Sequence, residues 1–235
     1  MQIVEGAGVP LAVQIDGDGP PVLLVHGMGQ TREAWTPIPH TRTIAYDRRG
    51  YGDSGAPEPY RATTVAEQAE DALAVLRAAD AEGVVAGASD FAALIVLDLL
   101  MRHPDAIEAA VLVDPSAFPL VPAATEALSE EVARLRADLD AGDAGQAIAR
   151  FRAARGLPDA APGSARAFFA DLAGQATLEL TRQNLATVDA PLTILVRAAA
   201  PAHVRAAATA LAELLPQARI GDGEDVGAAI AAIGR

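Results

Sequence analysis

At 235 residues, 51% hydrophobic and 21% charged, the sequence has the profile of one globular domain with a sizeable core. Its 31 acidic against 18 basic residues give a net charge of −13, a field that repels nucleic acid and anionic membrane and excludes both as expected partners. There is no cysteine, which excludes disulfides and thiolate metal sites; no metal and no cofactor is expected.

The first residues, Met1-Gln2-Ile3-Val4-Glu5-Gly6, lack the basic start and long apolar core of a signal peptide, and no apolar run approaches a membrane span. A cytoplasmic location is therefore expected. Residues 2–6 and 10–16 read as a strand pair joined by Gly6-Ala7-Gly8-Val9. After the turn Asp16-Gly17-Asp18-Gly19-Pro20 comes a short apolar run, 21–25, bounded by turn residues as a buried strand is. The next strand is 42–47. A helix follows over 63–79, with Val65, Ala69, Ala72, Val75 and Leu76 at helical spacing.

Residues 84–88 read as another buried strand and 91–103 as the helix after it, stopped at Pro104. Two further strands are expected at 110–114 and 192–197, and helices at 202–215 and 225–233. Strands alternating with helices predict a mostly parallel sheet with helices on both faces. Residues 115–187 break the alternation with helical patterns at 124–139, 143–155 and 164–183. That block predicts a small helical cap (115–187) over the carboxyl edge of a core made from 1–114 and 188–235.

Five segments carry a resemblance. They are Val22-Leu23-Leu24-Val25-His26-Gly27-Met28-Gly29, the loop Tyr46-Asp47-Arg48-Arg49-Gly50-Tyr51-Gly52-Asp53-Ser54-Gly55, and Ala69-Glu70-Asp71. Arg102-His103-Pro104 and Leu112-Val113-Asp114-Pro115 complete the set. In this order they resemble the α/β-hydrolase family across essentially the whole chain. The resemblance implies that family's fold, and an oxyanion hole whose backbone donors are Met28 and Phe91. It says less about the reaction, since the fold hosts many chemistries.

The family's nucleophile sits in a sharp strand-to-helix turn flanked by small residues. Two registers compete. Gly87-Ala88-Ser89-Asp90-Phe91 centres Ser89 but puts Phe91 where a small residue belongs, whereas Ala88-Ser89-Asp90-Phe91-Ala92 centres Asp90 between alanines. In relatives the nucleophile lies about fourteen residues before the His-Pro proline and about nineteen after the upstream helix aspartate. Counting from Pro104 and from Asp71, both land on Asp90. The competing register keeps Asp90 as a helix cap and Ser89 as nucleophile.

The partners of an ordinary triad are missing. Hydrolysis needs a base, nearly always histidine, on the loop after the last strand. The four histidines are His26, His40, His103 and His203, and the tail 218–225, read as that loop, contains none. The acid loop after 192–197 reads Ala198-Ala199-Ala200-Pro201. Asp114 matches an alternative acid position, although Asp in a Val-Asp-Pro context is common there with a structural role. His203 reads as a helix-start surface histidine and His26 as a structural member of its loop, with an unorthodox base as the alternative for each; Glu224 and Asp222 read as a solvated acidic loop, with standing in for the histidine as the alternative. Trp35 and Tyr51 are candidate pocket walls. An elbow aspartate also resembles dehalogenases and epoxide hydrolases. However, Phe91 and Met28 lack the side-chain donors of the former, and 115–187 lacks the tyrosines of the latter.

At the head of a helix a carboxylate is favoured, while apolar burial favours the neutral acid. Asp90 is thus suited to give and take protons. The expectation is a non-hydrolytic enzyme of this fold, of cyclase, isomerase or lyase type. Its substrate would be a small apolar metabolite and Asp90 its general acid/base. Two alternatives stay open: an ester or epoxide hydrolase with an unorthodox base, and a ligand-binding pseudoenzyme.

Overall fold

The computed structural model describes residues 1–233. Eight strands form one sheet: β1 (Gln2–Glu5), β2 (Pro10–Asp16), β3 (Pro21–Val25), β4 (Arg42–Tyr46), β5 (Val84–Ser89), β6 (Ile107–Val113), β7 (Leu192–Val196) and β8 (Ala218–Asp222). Their order is β1-β2-β4-β3-β5-β6-β7-β8. Strand β2 runs antiparallel to both its neighbours, and the pairings from β4 to β8 are parallel.

Eight α-helices join them: α1 (Val65–Ala78), α2 (Ala92–Arg102), α3 (Pro122–Asp140), α4 (Ala144–Ala154), α5 (Ala165–Gly174), α6 (Arg182–Leu185), α7 (Ala202–Leu214) and α8 (Val226–Ile233). The period-two alternation of the strands divides the core. Leu23 and Val25 of β3, with Ala86 and Ala88 of β5, join the cluster that holds α1, α2 and α7. Val22 and Leu24, with Val111 and Val113, face Val226 and Ile230 of α8 on the other side.

Local sequence accounts for these elements. The hydroxyl of Thr64 caps α1 by accepting the Glu67 N–H at 3.1 Å. Helix α2 is buried from Ala92 to Leu100 and apolar except for Asp98, which accepts from Arg102 one turn later at 2.8 Å.

Three expectations need correction. Residues 218–222 are strand β8, hydrogen-bonded to β7, and only 223–225 remain as the loop that was read over 218–225. Strand β6 begins at Ile107, three residues earlier than expected. The single helix expected over 164–183 is broken after Gly174 into α5, a 3₁₀ turn at Gln175–Thr177 and the one-turn α6. Here the chain passes Thr63 so closely that a Cβ on Gly174 would lie 2.9 Å from the Thr63 carbonyl oxygen.

No helix among the described residues is long and apolar enough to cross a membrane. Helices α3 to α6 all lie between β6 and β7 in sequence. Two of them, α4 and α5, touch the loops at the carboxyl edge of the sheet. Arg152 of α4 donates to the carbonyl of Met28, and Asp171 of α5 accepts from Arg48 at 2.6 Å.

Candidate active site

Strand β5 ends at Ser89 and α2 starts at Ala92, so the turn between them centres on Asp90. Its φ is +57°, the left-handed region that costs most L-residues and that aspartate tolerates better than most. The turn is held by its own backbone: the Asp90 N–H donates to the Val113 carbonyl at 2.9 Å, and the Ser116 N–H to the Asp90 carbonyl at 3.3 Å. Gly27 lets the β3 loop come close to this turn. A Cβ there would meet Ser89 Oγ at 2.9 Å and Asp90 Cβ at 3.3 Å.

The Asp90 side chain is 7% exposed, and its two oxygens differ. Oδ1 accepts the Ser116 hydroxyl at 2.8 Å, with Arg155 Nη1 3.9 Å away. Oδ2 is buried and has no partner among the described residues. The N–H groups of Met28 and Phe91 donate to no described residue either. Asp90 opens on a cavity of about 190 Å³ lined by Gln30, Trp35, Ser89, Val113, Arg197 and Glu224, with Ala34, Leu157 and Pro158 at its margin. This volume is below the ~300–1,000 Å³ of common ligand clefts, so there is room only for a small molecule. Ser89 ends its strand and contributes to the cavity wall, not to the centre of the turn.

This geometry agrees with what the chain is similar to. The family model for the α/β-hydrolase fold matches residues 20–185. The chain belongs to the α/β-hydrolase family. It is 40% identical over 76 residues to EphD of Mycobacterium tuberculosis, a protein named as an oxidoreductase; the match covers 29% of this chain and 13% of that protein. To Epoxide hydrolase A of the same species it is 29% identical over 126 residues, covering 50% of this chain and 39% of that protein. The chain thus matches well under half the length of these curated relatives. A thermophilic esterase from Thermogutta terrifontis, solved with malate bound, superposes with a TM-score of 0.78 at 22% identity. That match covers 100% of this chain and 98% of the esterase, and shows the shared fold.

An α/β-hydrolase with its usual machinery would bring an imidazole to the elbow. Among the described residues no histidine lines the cavity. His26 is a structural member of its loop and is not placed as the alternative base: its Nδ1–H donates to the Gly27 carbonyl at 2.9 Å and its Nε2 accepts the Arg48 N–H at 2.9 Å. Both ring nitrogens are occupied. Burial, and then the charge of Arg48, push this imidazole well below its ordinary range, so it stays neutral and braces the loop.

His203 faces Glu131, with 3.3 Å between Nε2 and Oε1, and packs against Phe118. Glu131 in turn accepts Arg155 Nε at 2.8 Å, so the Glu131–Arg155 pair stands between His203 and Asp90. Burial lowers the His203 pKa, and this outweighs the pull of Glu131. His103 pairs with Glu70 beside a separate cavity of about 480 Å³ at the amino ends of β5 and β6, across the sheet from the elbow.

Asp114 is likewise not placed as a triad acid. It is bound by the side chain and the N–H of Arg197, the latter at 3.0 Å, and no histidine partners it. Burial raises its pKa despite Arg197. Trp35 lines the cavity, with its indole N–H buried and unpartnered. Tyr51 does not line it: its hydroxyl donates to Asp171 at 2.7 Å and accepts the Gly29 N–H at 3.2 Å, inside the protein.

Sequence reasoning missed Ser116, Arg155, Glu131, Gln30 and Arg197. Ser116 alone left a local trace, two residues beyond Asp114. The others reach the site through tertiary packing and had no motif to mark them.

Proposed function

We propose that this chain is a non-hydrolytic enzyme of the α/β-hydrolase family, a cyclase, isomerase or lyase that works on a small metabolite through Asp90 as general acid/base. One observation carries the reading: a buried elbow carboxylate with an unpartnered Oδ2 beside a cavity that no histidine lines. The helical block 115–187 is read as the cap over this site. Five of the ten lining residues are polar, so the substrate inferred from the sequence as apolar is better read as a small molecule with one polar end.

The chemistry follows from the two oxygens. Ser116 fixes Oδ1, and Arg155 balances its charge. Oδ2 is left to take a proton from a substrate whose oxygen lies between the Met28 and Phe91 N–H groups. Negative charge then builds on that oxygen, where those N–H dipoles stabilise it. Returning the proton at another atom gives isomerisation or cyclisation; expelling a leaving group gives elimination.

The test is proton exchange, followed by NMR in deuterated water with a β,γ-unsaturated cyclic ketone. The wild type should exchange the α-protons well above background, and Asp90→Asn should lose at least ~100-fold while keeping its thermal midpoint. Full exchange in Asp90→Asn would remove Asp90 from the mechanism. The similarity to Epoxide hydrolase A favours a second reading, hydrolysis with Asp90 as nucleophile. Turnover of styrene oxide or p-nitrophenyl acetate that vanishes in Asp90→Asn would establish it instead.

A further inference from the structure

The loop after the last strand carries no histidine, but it does bring a second acid to the cavity. Its backbone is anchored on both sides. The Gly223 N–H donates to the Val196 carbonyl at 3.0 Å, tying the loop to the end of β7. Asp225 accepts the Ala228 N–H at 2.8 Å, and Val226 and Ile230 of α8 pack into the core. Between these anchors Glu224 lines the same cavity as Asp90.

The acids around Glu224 are engaged elsewhere. Asp222 pairs with Arg205 at 2.7 Å, and Asp225 holds the first turn of α8. The Glu224 side chain makes no hydrogen bond or ion pair with any described residue; only its backbone carbonyl is engaged, accepting the Val226 N–H at 3.0 Å. It is exposed, whereas Asp90, which lines the same cavity, is more than nine-tenths buried and has one oxygen without a partner among the described residues. The two carboxylates therefore differ in their access to water while sharing one small space.

We infer that Glu224 is a second catalytic acid/base, the solvent-side proton station of the Asp90 site. This rests on the reading of Asp90 as the base that acts on the substrate. In the forward step Asp90 Oδ2 takes a proton from a substrate carbon. The C–H bond breaks, an O–H bond forms, and the electron pair moves towards the oxygen held by the Met28 and Phe91 N–H groups. Glu224 passes a proton from water to the far end of that delocalised anion, leaving a hydroxide that the proton then released by Asp90 neutralises. The product has the formula of the substrate, water and both carboxylates are restored, and no oxidant or reductant is needed. A single fixed carboxylate would have to reach both ends of the substrate, and Asp90 is held by Ser116 and by its turn.

Two readouts from one sample separate the steps: deuterium exchange at the α-carbon of the β,γ-unsaturated cyclic ketone, and its conversion to the conjugated isomer. In Glu224→Gln, isomerisation should fall at least ~100-fold, the loss typical of a missing acid/base group, while α-exchange stays within about threefold of wild type. Asp90→Asn should lose both. Glu224→Gln that isomerises at the wild-type rate with an unchanged pH profile overturns the inference. So does Glu224→Gln that loses exchange and isomerisation alike, or a wild type that exchanges without isomerising. Asp90→Asn that keeps both, or a wild type that does neither, overturns the reading of Asp90 on which the inference stands.

Discussion

Arg155 meets Asp90, Glu131 and two aromatic rings at once. Its guanidinium lies 4.5 Å from the Phe151 ring centre and 5.3 Å from that of Phe118, donates to Glu131, and stands 3.9 Å from Asp90 Oδ1. Glu131 and Arg155 are both buried, so removing one charge strands the other out of water. Arg155→Met is expected to cost about 3–5 kcal/mol in urea unfolding. The double variant Arg155→Met/Glu131→Leu should recover only part of that loss, because Glu131 is no longer stranded while buried Asp90 still lacks the charge of Arg155. A double variant as unstable as the single one would show that stability comes from the shape of Arg155 between the rings.

The placing of Asp90 was legible at this scale, since Pro104 and Asp71 fix its spacing from both sides. Arg155 and Glu131 were not. Their charges look like those of any solvated helix until α3 and α4 fold onto the elbow.

At the scale of elements, the β5–turn–α2 unit and the packing of α8 behind it set the site. Gly87 sits where β5 passes beneath α8. A Cβ there would lie 2.5 Å from Val226 Cγ1 and 2.7 Å from Leu24 Cδ2. Gly87→Ala is expected to cost about 1–3 kcal/mol through overpacking. It should also push α8, and with it the Glu224 loop, so that isomerisation falls more than α-exchange. Urea unfolding and the paired NMR readout check the two halves of that statement.

The alternation of strands and helices was readable because β3, β5 and β6 are continuous apolar runs between turn residues. Strand β8 was not readable. Ala-Arg-Ile-Gly-Asp is an edge strand with one neighbour, its side chains are mostly exposed, and nothing in its pattern marks a buried face. The break at Gly174 escaped notice for a related reason: it is imposed by Thr63, far away in sequence.

For the whole molecule, the buried histidines decide how stability responds to acid. Burial lowers the pKa of His26, with help from the charge of Arg48, and burial lowers that of His203 as well. Below the ordinary histidine value of 6.5, the unfolded chain binds protons that the folded imidazoles refuse. Folding stability is therefore fully present above that value and falls as pH drops through it, at up to ~1.4 kcal/mol per pH unit for each such histidine. The raised pKa of Asp114 acts in the opposite sense, but only lower, in the carboxylate range. The urea midpoint should accordingly be lower at about pH 5.5 than at about pH 7.5. A midpoint higher at about pH 5.5 than at about pH 7.5 would show that a histidine gains a charged partner on folding.

Asp171 of α5 is fully buried and accepts from Arg48, Gln68 and Tyr51 together. Lifting that helix would leave two charges facing each other's absence in a dry interior, so α5 is bolted to the loop after β4 and to α1. With α5 fixed, a ligand would enter past Ala34, Pro158 and Glu224, the exposed residues of the cavity lining. Girth then governs admission. Slender molecules arrive at a rate set by the width of that doorway, and bulky analogues are turned away before their affinity for the interior comes into play.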